Sequence, residues 1–156
     1  MKTTSVTDKS YITLKIIWLA LLASNALYGF SGYQITKNHT PLEGEVILPF
    51  YQHTMFQPLL ISSIVILGLA FFLPKLIFKL SRNAMVQTGQ NSIEKNHLAL
   101  LILRLALLEA IGILGLLLSM FSHDFTAFLA FISVTILGFI ISFPNEQNLK
   151  RITGDI

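Results

Sequence analysis

LALLILRLALLEAIGILGLLLSMF, residues Leu98 to Phe121, is an apolar run of bilayer-crossing length with an acid, Glu109, near its middle. As a helix rising about 1.5 Å per residue, it places Glu109 roughly 17 Å from Leu98, close to the midplane of a hydrocarbon core about 30 Å thick. Desolvation at that depth disfavours the ionised carboxylate unless a cation or a set of donors offsets it. The run therefore predicts a transmembrane helix carrying an intramembrane acid, and it makes the chain a membrane protein.

Around this helix, at about 100° per residue, Glu109 stands about 60° from Gly112, and Gly115 and Ser119 continue the seam at spacings of three and four. Small residues let transmembrane helices approach closely, so Gly112, Gly115 and Ser119 are helix-packing candidates and the acid is expected to face protein. Two readings of Glu109 stay open at this level. It is an ion-binding candidate, because intramembrane acids mark ion and proton sites; equally, it is a neutral carboxyl hydrogen-bonded to a Ser or Thr hydroxyl that holds helices together. Arg104 projects about 140° away from Glu109, which disfavours a pair within the helix. It lies about 9 Å in from Leu98, within snorkelling reach of the headgroups, and reads as an interface anchor.

Composition agrees with a bilayer environment. Of 156 residues, 53% are apolar or aromatic and 12% are charged, with a mean hydropathy of +0.68. A soluble domain of this length could not bury so much apolar surface. There is no cysteine, which excludes disulfides, thiolate nucleophiles and cysteine-based metal sites. The net charge of +3 comes from bases beside apolar segments, where they set orientation, so no nucleic-acid partner is expected.

Three further apolar segments flank the acid-bearing run: Ile12 to Phe30, Met55 to Phe78 and Phe125 to Phe143. With residues 98 to 121 they make four expected spans in one integral membrane domain covering 1 to 156, an all-α polytopic transmembrane helical bundle. Lys15 is expected to snorkel from the first span. A cleaved signal peptide is the competing reading of that segment, opposed by its long polar start and by apolar character that runs on to Phe30. Pro58 falls in the first turn of the second span, and Pro74 near its far end predicts a kink or an early exit. Ser81 to His97 reads as a hydrophilic connection, residues 31 to 54 as a loop, and Asp124 as the N-cap of the last helix, which Pro144 stops. The flanks with Lys2, Lys9 and Lys15, with Lys75, Lys79, Arg82 and Lys95, and with Lys150 and Arg151 share one side. By the positive-inside rule that side is the cytoplasm, with both termini in, as expected of a multi-pass protein of the cytoplasmic (inner) membrane.

Candidate chemistry elsewhere is weak. His39, Glu43, Glu45 and His53 share the first loop, but their spacing matches no metal template, and a solvated loop is expected. Ser62, Ser63, Thr126, Ser133, Thr135 and Ser142 should bond to backbone carbonyls or cross to a neighbouring helix. There is no phosphate-binding glycine loop, no zinc-protease pattern and no nucleophile with an obvious base, so no catalytic residue, metal or cofactor is expected.

Residues 106 to 117, Ala-Leu-Leu-Glu-Ala-Ile-Gly-Ile-Leu-Gly-Leu-Leu, resemble the carboxylate-bearing second helix of the ATP synthase proteolipid, subunit c. That resemblance implies an ion-carrying role for Glu109. The span before it has one glycine, Gly68, where the proteolipid has a glycine-rich helix, and two further spans flank the pair. Over residues 50 to 150 the layout is similar to that of small bacterial inner-membrane proteins of about four spans: an Arg-Leu-Ala-Leu-x-Glu third helix, Arg104 to Glu109, a short outer turn and a last span ended by Phe143-Pro144. This likeness implies a layout and no activity. The expected role is a non-catalytic subunit or accessory protein that meets the lipid bilayer and other membrane subunits or itself; the alternative is a proteolipid-like H+ or Na+ carrier using Glu109.

Overall fold

The computed structural model describes residues 6–38, 49–88 and 90–144, with side chains for 12–38, 49–80 and 98–144. Four helices occupy these residues: α1 (Val6–Lys37), α2 (Phe56–Thr88), α3 (Gln90–Ser122) and α4 (Phe125–Ile141). A single 3-10 turn, Phe50–Gln52, precedes α2, and no strand occurs among the described residues.

Three segments are long and apolar enough to cross a membrane, Ile12–Lys37, Phe56–Leu80 and Leu98–Ser122. The fourth expected span is shorter. With 17 residues, α4 reaches about 25 Å, a little under the thickness of a hydrocarbon core.

The helix boundaries correct several sequence expectations. The hydrophilic connection expected over Ser81 to His97 is helical: α2 runs on to Thr88 and α3 begins at Gln90, with Gly89 outside the described residues. Straight-chain residues such as Arg82, Met85, Gln87, Glu94 and Lys95 support helix in water as readily as in lipid, so polarity marked where the bilayer ends and not where the helix ends. No early exit occurs at Pro74, which lies inside α2. In the first loop, residues 31 to 37 belong to α1. Most of the apolar run Val46 to Tyr51, and His39, Glu43 and Glu45 of the weak metal reading, lie outside the described residues.

Residue pairs across the interfaces give the topology. Asn25 faces Gly112 and Gly32 faces Leu116, so α1 and α3 run parallel; Gly115 faces Phe131 and Gly138 faces Leu108, so α3 and α4 run antiparallel. Because α2 ends at Thr88 and α3 begins at Gln90, the contact of Arg104 with Phe71, far back along both, makes them an antiparallel hairpin. The result is an up-and-down bundle in which α3 packs on all three other helices and, among the described residues, α2 has no substantial packing on α1 or α4. Around α3, Leu105, Leu108, Ile111 and Leu118 form the core with Ala127, Phe131 and Phe139 of α4 and Ala70 of α2. The outward faces are apolar as well: Leu27, Phe30, Ile61, Phe72, Leu137 and Ile140 are all exposed. An apolar interior beneath an apolar exterior is the pattern of a lipid-solvated bundle, in which packing and not water exclusion holds helices together.

Two devices fix the helix ends. At the reversal between α3 and α4, His123 adopts the left-handed conformation, φ 52°. Asp124 then caps α4: Oδ1 accepts from Thr126 N at 2.9 Å while Oδ2 accepts from Phe50 N at 3.5 Å, tying the 3-10 turn to the same end of the bundle. At the other end of α4, the last carbonyls have no partner within the helix. Trp18 Nε1 of α1 donates to one of them, Phe139 O, at 3.0 Å, and its ring meets Phe143 edge-on with centroids 5.1 Å apart.

Candidate functional site

Glu109 projects from α3 toward α1, where two hydroxyls converge on one carboxyl oxygen. Tyr28 OH donates to Oε1 at 3.0 Å, and Ser24 Oγ lies within hydrogen-bond distance of the same atom. Ser24 also lies 2.7 Å from Leu21 O, the carbonyl that accepts from Asn25 Nδ2 at 2.8 Å. Ser24 and Tyr28 are four apart on α1, so they present one face to α3, and Asn25 beside them continues it inward.

Asn25 is buried, and its Oδ1 has no hydrogen-bond partner. This oxygen fills the space beside Gly112: a Cβ on Gly112 would lie 2.7 Å from Asn25 Oδ1 and 3.6 Å from Thr135 Oγ1. Thr135, fully buried on α4, lies 3.2 Å from Leu108 O on α3 and 3.3 Å from Phe131 O on its own helix. A polar layer of Ser24, Asn25, Tyr28, Glu109 and Thr135 thus crosses α1, α3 and α4 in the middle third of their apolar length.

Arg104 belongs to a different neighbourhood. Its guanidinium carbon lies 4.1 Å from the centroid of the Phe71 ring on α2, and its Nε is buried without a hydrogen-bond partner. Arg104 and Glu109 therefore address opposite sides of α3, as the 140° between them requires.

Gly112 and Gly115 are both buried at helix contacts; a side chain on Gly115 would run into Phe131 Cβ. Ser119 is fully buried, with Oγ unpartnered. Sequence reasoning missed the complementary small residues. A Cβ on Gly138 of α4 would sit 2.5 Å from Leu108 Cδ2, one on Gly32 3.0 Å from Leu116 Cδ1, and one on Gly29 3.1 Å from Phe128 Cε1. The signal was present as Asn25, Gly29 and Gly32, spaced four and three on α1. It was hidden because the first span was ended at Phe30.

Of the polar marks on the helices, Ser62, Ser63 and Ser133 donate to carbonyls four residues back, and Thr135 also reaches α3. His53 Nδ1 accepts from Met55 N at 3.3 Å, and no group of three or more His, Cys, Asp or Glu gathers among the described residues.

No protein-family model, curated protein or solved structure matches this chain.

Proposed function

We propose that the chain is a four-span protein of the cytoplasmic membrane with both termini inside, acting as a non-catalytic subunit or accessory protein of a membrane assembly. A crossing by α4 is supported by its far end, where Phe139 and Phe143 meet Trp18, one turn along α1 from Lys15, the residue expected at the cytoplasmic interface. The observation that carries the role is the clamp on Glu109: two α1 hydroxyls reach one carboxyl oxygen, so the acid joins α1 to α3.

A neutral carboxyl fits that clamp. Ser24 has one hydroxyl proton and two oxygens within reach, Leu21 O and Glu109 Oε1. If Glu109 carries a proton on Oε1, that proton goes to Ser24 Oγ, the Ser24 proton goes to Leu21 O, and the Tyr28 proton goes to Oε1. Each proton then has one acceptor, and no charge is buried. Co-purification of the tagged chain from native membranes in mild detergent tests the role. Stoichiometric membrane proteins, or a defined homo-oligomer, are expected, and a monomer with no partner opposes the reading.

The same hydroxyls support a second reading, an H+ or Na+ carrier, because Tyr28, Ser24 and Glu109 gather three oxygens at one point in the span. Reconstituted vesicles separate the two. Ion flux lost in Glu109→Gln favours the carrier; no flux with intact assembly favours the subunit.

A further inference from the structure

We propose that Arg104 and Phe71, where α2 packs on α3, form a binding site for the phosphate of a membrane phospholipid. Four observations carry it, all independent of the Glu109 clamp. The guanidinium of Arg104 lies over the Phe71 ring, 4.1 Å from centroid to carbon. Stacking occupies the flat face of the group and leaves its edge, where the N–H donors lie, free for an acceptor. Among the described residues no acid or carbonyl meets that edge: Arg104 has no hydrogen bond or ion pair with any of them, and its Nε is buried without a partner, which leaves the two Nη groups as donors.

Second, the residue is half-buried on an apolar span, where an uncompensated cation is costly. An anion at the Nη groups offsets that cost. Third, the depth suits a headgroup: Arg104 lies about 9 Å along α3 from Leu98, the start of the apolar segment, within reach of phosphates at the interface. Fourth, further bases stand on the same flank. Lys75 follows Phe71 by one helical turn toward the Thr88 end of α2, Lys79 follows by two, and both are exposed. The planar guanidinium fork matches two oxygens of a phosphodiester, and the ring holds it in place before the ligand arrives, so little side-chain freedom is lost on binding.

The ligand class is an anionic glycerophospholipid, selected over a zwitterionic one by the added bases Lys75 and Lys79. With the orientation proposed above, the lipid belongs to the cytoplasmic leaflet; the site itself does not depend on that orientation. Purified full-length protein in detergent tests it, with Trp18 fluorescence reporting thermal unfolding while phosphatidylglycerol or phosphatidylcholine of matched chains is titrated in. Phosphatidylglycerol is expected to raise the midpoint more than phosphatidylcholine does. Arg104→Gln should weaken the apparent lipid affinity about tenfold, the loss of one charge-assisted contact, and Arg104→Lys should recover part of it.

Phe71→Leu keeps the cation and removes its platform, so a weaker preference for phosphatidylglycerol is expected there even if Arg104→Gln fails to fold. An equal lipid response in wild type, Arg104→Gln and Phe71→Leu overturns the proposal. Inorganic phosphate reproducing the full effect at matched ionic strength overturns the lipid as source. A partner protein lost from Arg104→Gln, with lipid responses unchanged, assigns the cation to a protein carboxylate and overturns it too.

Discussion

Ser24 and Glu109 stand 85 residues apart and meet across the α1–α3 seam, hydroxyl against carboxyl. Tyr28, one turn further along α1, closes on the same oxygen. Interhelical hydrogen bonds in membranes contribute about 0.6 kcal/mol each, up to about 2 kcal/mol, so the clamp positions α1 more than it stabilises the fold.

Glu109→Gln is expected to keep α1 docked, since the amide retains donor and acceptor, whereas Glu109→Ala should cost about 1 kcal/mol. Ser24→Ala should cost a similar amount, and the double Ala variant less than the sum of the two. Thermal unfolding in detergent reads these differences. Strict additivity would mean that the two groups do not interact. Infrared titration of the protein in lipid checks the neutral state: a carboxylate band at pH 7 that disappears in Glu109→Gln would show a charged site and defeat the proton count.

The glycine contacts predict a graded response. Gly115→Leu should destabilise most, because its side chain would be driven into Phe131, and Gly112→Leu should displace Asn25; overpacking of this kind costs about 1–3 kcal/mol. Leu117→Ile, on an exposed position of α3, should be nearly silent. Gly68→Ala is the opposite control: nothing lies within 4 Å of a Cβ there, so stability should hold or rise. Equal unfolding midpoints for all four variants would remove the glycines from the packing account.

At the α3–α4 reversal, His123 carries a positive φ of 52°, which glycine adopts freely and a β-branched residue resists. His123→Gly should leave stability within about 0.5 kcal/mol, and His123→Val should lower it by about 1–2 kcal/mol. A Val variant as stable as wild type would count against the left-handed turn.

Orientation can be mapped cleanly because the chain has no native cysteine. A cysteine placed at Thr40 should react with an impermeant maleimide in intact cells, and one placed at Lys79 should react only after permeabilisation. The reverse pattern would invert the topology and sink the charge-based orientation.

The membrane character, the apolar segments, the seam of Gly112 and Gly115, the Asp124 cap and the oddity of Glu109 are all legible locally, because each depends on composition or helical spacing along one stretch. Helix ends were less legible. In the Ser81 to His97 region, polarity reports contact with water, and helices persist there on backbone preference. Composition and helical spacing along the chain specify a set of apolar helices and an acid that has to find protein partners. Helix packing selects which partners. Parallel packing of α1 on α3 brings Ser24 and Tyr28 to Glu109 and Asn25 to Gly112, while α2 brings Phe71 under Arg104. In a bilayer every helix face is apolar, so hydrophobicity cannot choose neighbours; the choice falls to close steric fit at glycines and to hydrogen bonds between residues far apart in the chain.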